Sequence, residues 1–238
     1  MSTPESVIAF WREAGPEKWF AKDDAFDAAF RDRFRDDHLA VARREHDDWA
    51  ETPDGSLALC LLLDQWPRNC FRGTGHAFAT DPLARLFARR AVAAGHDQAF
   101  EEALRPFFYL PFQHSEDPAD QEQSLALFAA LTTPDADKWA RHHHGVIVRF
   151  GRFPHRNAAL GRITTPREAA FLEADGFRAL ARQQRQRVHR SGPRRRCRRV
   201  ANFEMHLGLA DATRDTRRAD DLALGDPLLH AHIGRAKM

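Results

Sequence analysis

Apolar residues return at helical intervals through most of the first 174 positions. Phe26, Phe30 and Phe34 recur every four residues, and Leu83, Leu86 and Phe87 follow an i, i+3, i+4 pattern, as do Leu125, Phe128 and Ala129. That period marks one buried face of a helix. Leu57 to Leu63 is nearly all apolar, so the spacing predicts a helix buried on most sides there. Five times a capping residue stands directly before proline: Thr3-Pro4, Asp81-Pro82, Asp117-Pro118, Thr133-Pro134 and Thr165-Pro166. The side-chain oxygen accepts from a first-turn amide, and proline at the first helical position gives up an N–H that had no partner. Glu168, three residues after Thr165, completes a capping box. Ser56, after the turn Thr52-Pro53-Asp54-Gly55, reads as a further start, and Gly95 as a C-cap. The pattern predicts helices near 4–13, 23–48, 56–68, 82–94, 97–104, 118–131, 134–149 and 166–174. No strand pair is expected. Val146-Ile147-Val148 is β-branched but continues a helical segment.

Several blocks carry a more specific signature. These are Phe10-Trp11, Trp19-Phe20, LALCLLLDQWPRNCFRGT at 57–74, FFYLPFQHSED at 107–117 and RFGRFPHRNAALGR at 149–162. In that order they resemble the bacterial family catalogued as domain of unknown function 924, over about residues 6–173. The resemblance implies an all-α, tetratricopeptide-like stack of about eight helices in one domain. It implies a set of suspect residues and no activity. Members of the family typically finish soon after the counterpart of Phe171-Leu172-Glu173, whereas about 60 further residues follow here.

Composition divides the chain at the same point. Residues 178–238 hold 15 Lys and Arg against 6 Asp and Glu, a net +9, while residues 1–177 carry −7. Ten arginines fall between Arg178 and Arg199, with Gly192 and Pro193 among them. We therefore expect a helical domain over 1–177 and an Arg-rich tail over 178–238 too poor in apolar residues to order alone. An out-of-frame reading of GC-rich DNA would give such a bias. An acidic first part argues against a broad nucleic-acid surface, although the tail could take one. The three cysteines, Cys60, Cys70 and Cys197, make neither a disulfide framework nor a zinc motif and fit a reducing cytoplasm. No apolar run reaches the roughly 18–20 residues needed to cross a bilayer, and the first 15 residues lack the pattern of a secretory signal.

Candidate chemistry lies in three short blocks. In Asp64-Gln65-Trp66-Pro67-Arg68-Asn69, Asp64 interrupts an apolar helix and Arg68 lies one turn on, on the same face. Pro67 frees an upstream carbonyl and kinks or ends the helix. In His114-Ser115-Glu116-Asp117, His114 and Glu116 could form an acid–base pair, or Asp117 could simply cap a helix. In the third block Arg149, Arg152, Arg156 and Arg162 accompany His155 and Asn157, a set suited to a carboxylate or phosphate or to an internal hub of ion pairs. His142-His143-His144 cannot chelate one ion, since consecutive helical residues point about 100° apart. By the family register His143 is the one that matters. No metal or cofactor motif is present: GxGxxG, Walker A, GxSxG and HExxH are all missing.

Two functional readings follow. In the first, a small anionic ligand or substrate enters a polar pocket. His114, Glu116, His143 and His155 would transfer protons, and Asp64, Arg68, Asn69, Arg149, Arg152, Arg156 and Asn157 would hold the ligand. In the second, the helices form a non-catalytic scaffold whose groove takes a peptide or protein. If helix 118–131 runs out and helix 134–149 runs back, His114 and Glu116 come level with the arginine block.

Overall fold

The structure, a computed structural model, describes residues 2–174; the Arg-rich tail lies outside the described residues. All regular structure there is helical, with no strand among the described residues. In chain order the α-helices are α1 (Pro4–Ala14), α2 (Pro16–Trp19), α3 (Asp24–Ala42), α4 (Pro53–Cys60), α5 (Trp66–Cys70), α6 (Asp81–Ala93), α7 (Pro106–Gln113), α8 (Pro118–Ala129), α9 (Lys138–Phe150) and α10 (Pro166–Glu173). Consecutive helices pack on one another along α6, α7, α8 and α9, while α1 and α6 both lie against α4. No described helix is long and apolar enough to cross a membrane.

Four of the five cap–proline pairs stand at helix starts, and in three of them the capping residue acts as expected. Thr3, Asp117 and Thr165 accept first-turn amides, and Glu168 closes the capping box. The other two do different work. Asp81 is the first residue inside α6, and its carboxylate turns inward to arginines. Thr133 is held by Glu102, and α9 begins only at Lys138. The start expected at Ser56 lies earlier, because Thr52 caps α4 with Pro53 as its first residue. Gly55 permits this turn: a Cβ there would come 2.0 Å from the Trp49 carbonyl oxygen. The helix expected over 97–104 is only a 3-10 turn, His96–Ala99. The segment 106–113, not expected to be helical, forms α7 despite Pro111, because all eight of its residues are buried among other helices. The long helix expected to 48 stops at Ala42, where Arg44 takes a left-handed conformation.

The core is aromatic at one end and aliphatic in the middle. Phe10 stacks on Phe26 and Phe30, and Trp11 stacks on Trp19 and meets Phe107 edge-on. Leu57 to Leu63 is wholly buried, as the unbroken apolar run predicts. That burial sets up the site, because the same run delivers Asp64 into the interior.

Candidate functional site

Asp64 lies in a wide helical turn, the π-turn Leu61–Gln65 between α4 and α5. The Trp66 amide reaches back five residues to the Leu61 carbonyl. Side chains from elsewhere hold the turn. His38 of α3 meets the Leu62 carbonyl through Nδ1 at 2.9 Å, the Thr80 hydroxyl donates to the Leu63 carbonyl at 2.6 Å, and the Trp66 indole donates to the Phe30 carbonyl at 3.0 Å. Turns of this kind are uncommon and recur at functional sites.

The Asp64 carboxylate is buried and saturated with partners. His114 Nδ1 approaches Oδ1 at 2.7 Å, Arg68 approaches the same oxygen at 2.9 Å, and Gln65 donates to Oδ2 at 2.6 Å. Arg68 is partly buried, and it forks onto both oxygens of Asp81 at 2.8 and 3.0 Å. Arg156 reaches Asp81 at 3.3 Å and donates to the His114 carbonyl at 2.8 Å. Its guanidinium lies 4.5 Å from the centre of the Phe78 ring and 4.7 Å from that of Phe153. Two carboxylates and two guanidiniums thus balance in one buried network.

Protonation follows from that arrangement. Burial alone would raise the Asp64 carboxyl, but Arg68 and the His114 hydrogen bond reverse this and hold it at about 2. Burial, then Arg68, pushes His114 below the usual imidazole range. With His114 neutral, what it offers Asp64 is an N–H donor rather than a charge. Burial, with Asp81 opposing it and Arg68 adding to it, brings Arg156 down to about 10, so it stays charged at neutral pH.

Two more histidines join this centre. His143, buried on α9, has its ring centre 6.3 Å from that of His114 and 5.4 Å from Phe153, and its Nδ1 meets the Trp139 carbonyl at 2.8 Å. His155 lies 5.5 Å from Phe153, ring to ring. Burial, reinforced by neighbouring histidine and arginine groups, holds both well below the usual range. Glu116 ties the outer edge together. It accepts both guanidinium nitrogens of Arg162 at 2.8 Å and the Phe153 amide at 2.8 Å. The out-and-back course of α8 and α9 therefore brings the 114–117 and 149–162 blocks side by side, with α5 beside them.

Not every suspected residue joins the centre. Arg152 is bound by Glu168 at 2.6 and 2.9 Å. Arg149 is exposed and stacks on Phe150 and Phe171. Asn69 and Asn157 are buried; Asn157 donates to Thr164 at 3.3 Å, and Asn69 Nδ2 and Arg156 Nε have no hydrogen-bond partner in the protein. Three contributors went unsuspected: Asp81, Thr80 and His38. Asp81 was visible only as a cap before Pro82, and nothing local in the sequence announces the other two. Among the described residues, no three His, Cys, Asp or Glu side chains are placed to hold a metal ion.

A family model described as bacterial protein of unknown function (DUF924) matches residues 7–176. A solved structure of a protein of unknown function from Agrobacterium tumefaciens, ATU0120, is 56% identical, with a TM-score of 0.70 over 72% of this chain and 97% of that one. No curated protein matches the chain.

Proposed function

We propose, for a chain that belongs to the bacterial family of unknown function DUF924, that the centre around His114 is a small-molecule site working by proton transfer. The buried Asp64–His114 pair at 2.7 Å carries this reading. A carboxylate on Nδ1 selects the tautomer with its proton there, which makes Nε2 the basic nitrogen of the ring. His114 is the general base, and Asp64 orients it and stabilises the imidazolium that forms. His143 and His155, both held neutral, extend the proton path. Arg156 Nε and Asn69 Nδ2, buried donors without protein partners, are the groups left to meet a ligand oxygen. Glu116, with both oxygens engaged, holds the site's rim together.

The charge balance refines the ligand class. Arg68, Arg152 and Arg162 are each forked onto carboxylates, so they offer little to an anion. A balanced interior favours a neutral or singly charged carbonyl compound over phosphate. The exposed large apolar side chains among the described residues are Leu39, Val148, Leu160 and Ile163. None is aromatic, whereas protein-binding surfaces are enriched in aromatics, which favours the small-molecule site over a peptide groove.

Thermal melts with acetate, small amides and inorganic phosphate test the reading, since a ligand that binds only the folded chain raises Tm. Acetate or an amide should raise Tm and phosphate should not, and His114→Asn should abolish the rise. No rise with any of the three, together with a strongly destabilised His114→Asn, would leave the network a structural tie.

A further inference from the structure

Pro67 and the wide turn together leave one buried carbonyl without a backbone donor. In an α-helix the Trp66 amide would serve Leu62, but here it serves Leu61. In the wider register the next amide in line for Leu62 is that of residue 67, and proline has none. Leu62 is fully buried, and a buried carbonyl left without a donor is costly. His38 supplies the donor through Nδ1 at 2.9 Å, with its ring stacked on Trp66 at 4.2 Å and 17° between planes. The turn depends on this outside donor, whereas an ordinary helix carries its donors within itself. Closing the turn to α register would rotate one flank against the other by about 100°. That would carry Asp64 away from His114.

We propose that His38 is a positioning residue: by holding the Leu62 carbonyl in the wide turn, it directs the Asp64 carboxylate onto His114 Nδ1. The inference rests on the reading of His114 as the working base, but its consequence can be measured without any ligand. His38 never approaches a substrate in this role. It acts through the backbone of 61–65, together with the Thr80 hydroxyl on Leu63.

The test uses the full chain and the ring nitrogens of His114, followed by 1H–15N NMR. A carboxylate-bonded Nδ1–H proton resonates far downfield and identifies both the tautomer and the bond. His38→Phe keeps an aromatic ring against Trp66 and removes the donor, His38→Gln retains a donor, and His38→Phe with Pro67→Ala returns an amide at position 67. The downfield His114 signal should be lost in His38→Phe and present in His38→Gln and in the double variant. An unchanged signal in folded His38→Phe overturns the proposal. Should His38→Phe alone fail to fold, the double variant decides: the signal present supports the role of the Leu62 carbonyl, and its absence overturns it. Absence of any ligand-induced rise in Tm would sink the proton-transfer reading while leaving this signal, and hence the assignment to His38, intact.

Discussion

Mild acid should unfold this protein over a pH range in which carboxylates are still ionised. Burial holds His38, His114, His143 and His155 below the ordinary imidazole value, the last two far below it. The unfolded chain takes up these protons near pH 6.5, while the folded chain does not. Because the unfolded state then binds more protons, stability is complete above about pH 6.5 and falls as pH falls. At pH 5.5 each histidine still neutral in the fold costs about 1.4 kcal/mol relative to high pH. His143 and His155 alone make about 3 kcal/mol, and His38 and His114 act in the same direction, against a typical total stability of about 5–15 kcal/mol. Asp64 and Glu116 work in a separate window. Their folded values are depressed, so the stability they contribute is present above about pH 4 and lost only below it. Urea unfolding at pH 7.5, 6.5 and 5.5 measures the difference, and His143→Gln should remove about one proton from the slope. A stability unchanged between pH 7.5 and 5.5, or a slope unaltered in His143→Gln, would refute the claim that these rings are folded in their neutral form.

Three further outcomes follow from particular contacts. Asp64→Ala takes one of two carboxylates from Arg68, which keeps Asp81, and removes the partner of buried His114, so it should cost about 3 kcal/mol, and a double-mutant cycle with Arg68→Ala should show strong coupling; additive losses would contradict the pairing. Gly55→Ala should cost about 1–3 kcal/mol in denaturant melts, because its Cβ would strike the Trp49 carbonyl, and a neutral result would mean that the turn can yield. A chain ending at residue 176 should melt with the full chain, since the family model stops there and the Agrobacterium protein, nearly all of which is matched, has no counterpart to the remaining quarter; a much lower Tm would show that residues 177–238 contribute to folding.

Elements whose identity is local could be read from the chain. Thr165, Pro166 and Glu168 spell out a capping box in four residues, and the seven apolar positions 57–63 could only be buried. Elements set by tertiary context could not. Segment 106–113 carries two prolines and no periodicity, because it is buried on every side and has no polar face to report. Asp81 looked like a cap because proline follows it; its turn inward depends on Arg68 and Arg156, 13 and 75 residues away. The wide turn at 61–65 left a trace in Pro67, which implied a freed carbonyl. The donor that answers it, His38, lies 24 residues upstream, where no spacing rule reaches.

The composition of the buried centre is itself an argument about its purpose. Removing one partner from a buried ion network is destabilising, yet replacing the whole network by apolar residues of like volume is often neutral or stabilising. A tie between helices would therefore be met as well by leucine and phenylalanine, which this chain uses freely around Trp11 and Phe107. Instead it buries Asp64, Asp81 and Arg156, with Arg68 partly buried between them, and sets three histidines among them in neutral form, a state that should make the fold acid-sensitive. Neutral imidazoles beside a fixed carboxylate are a poor choice for stability and a good one for moving protons near pH 7. The turn that aims the carboxylate needs a fourth histidine from another helix to hold it. Selection for stability alone gives no reason to assemble these parts in one place, whereas the proton transfer proposed at His114 would use them together.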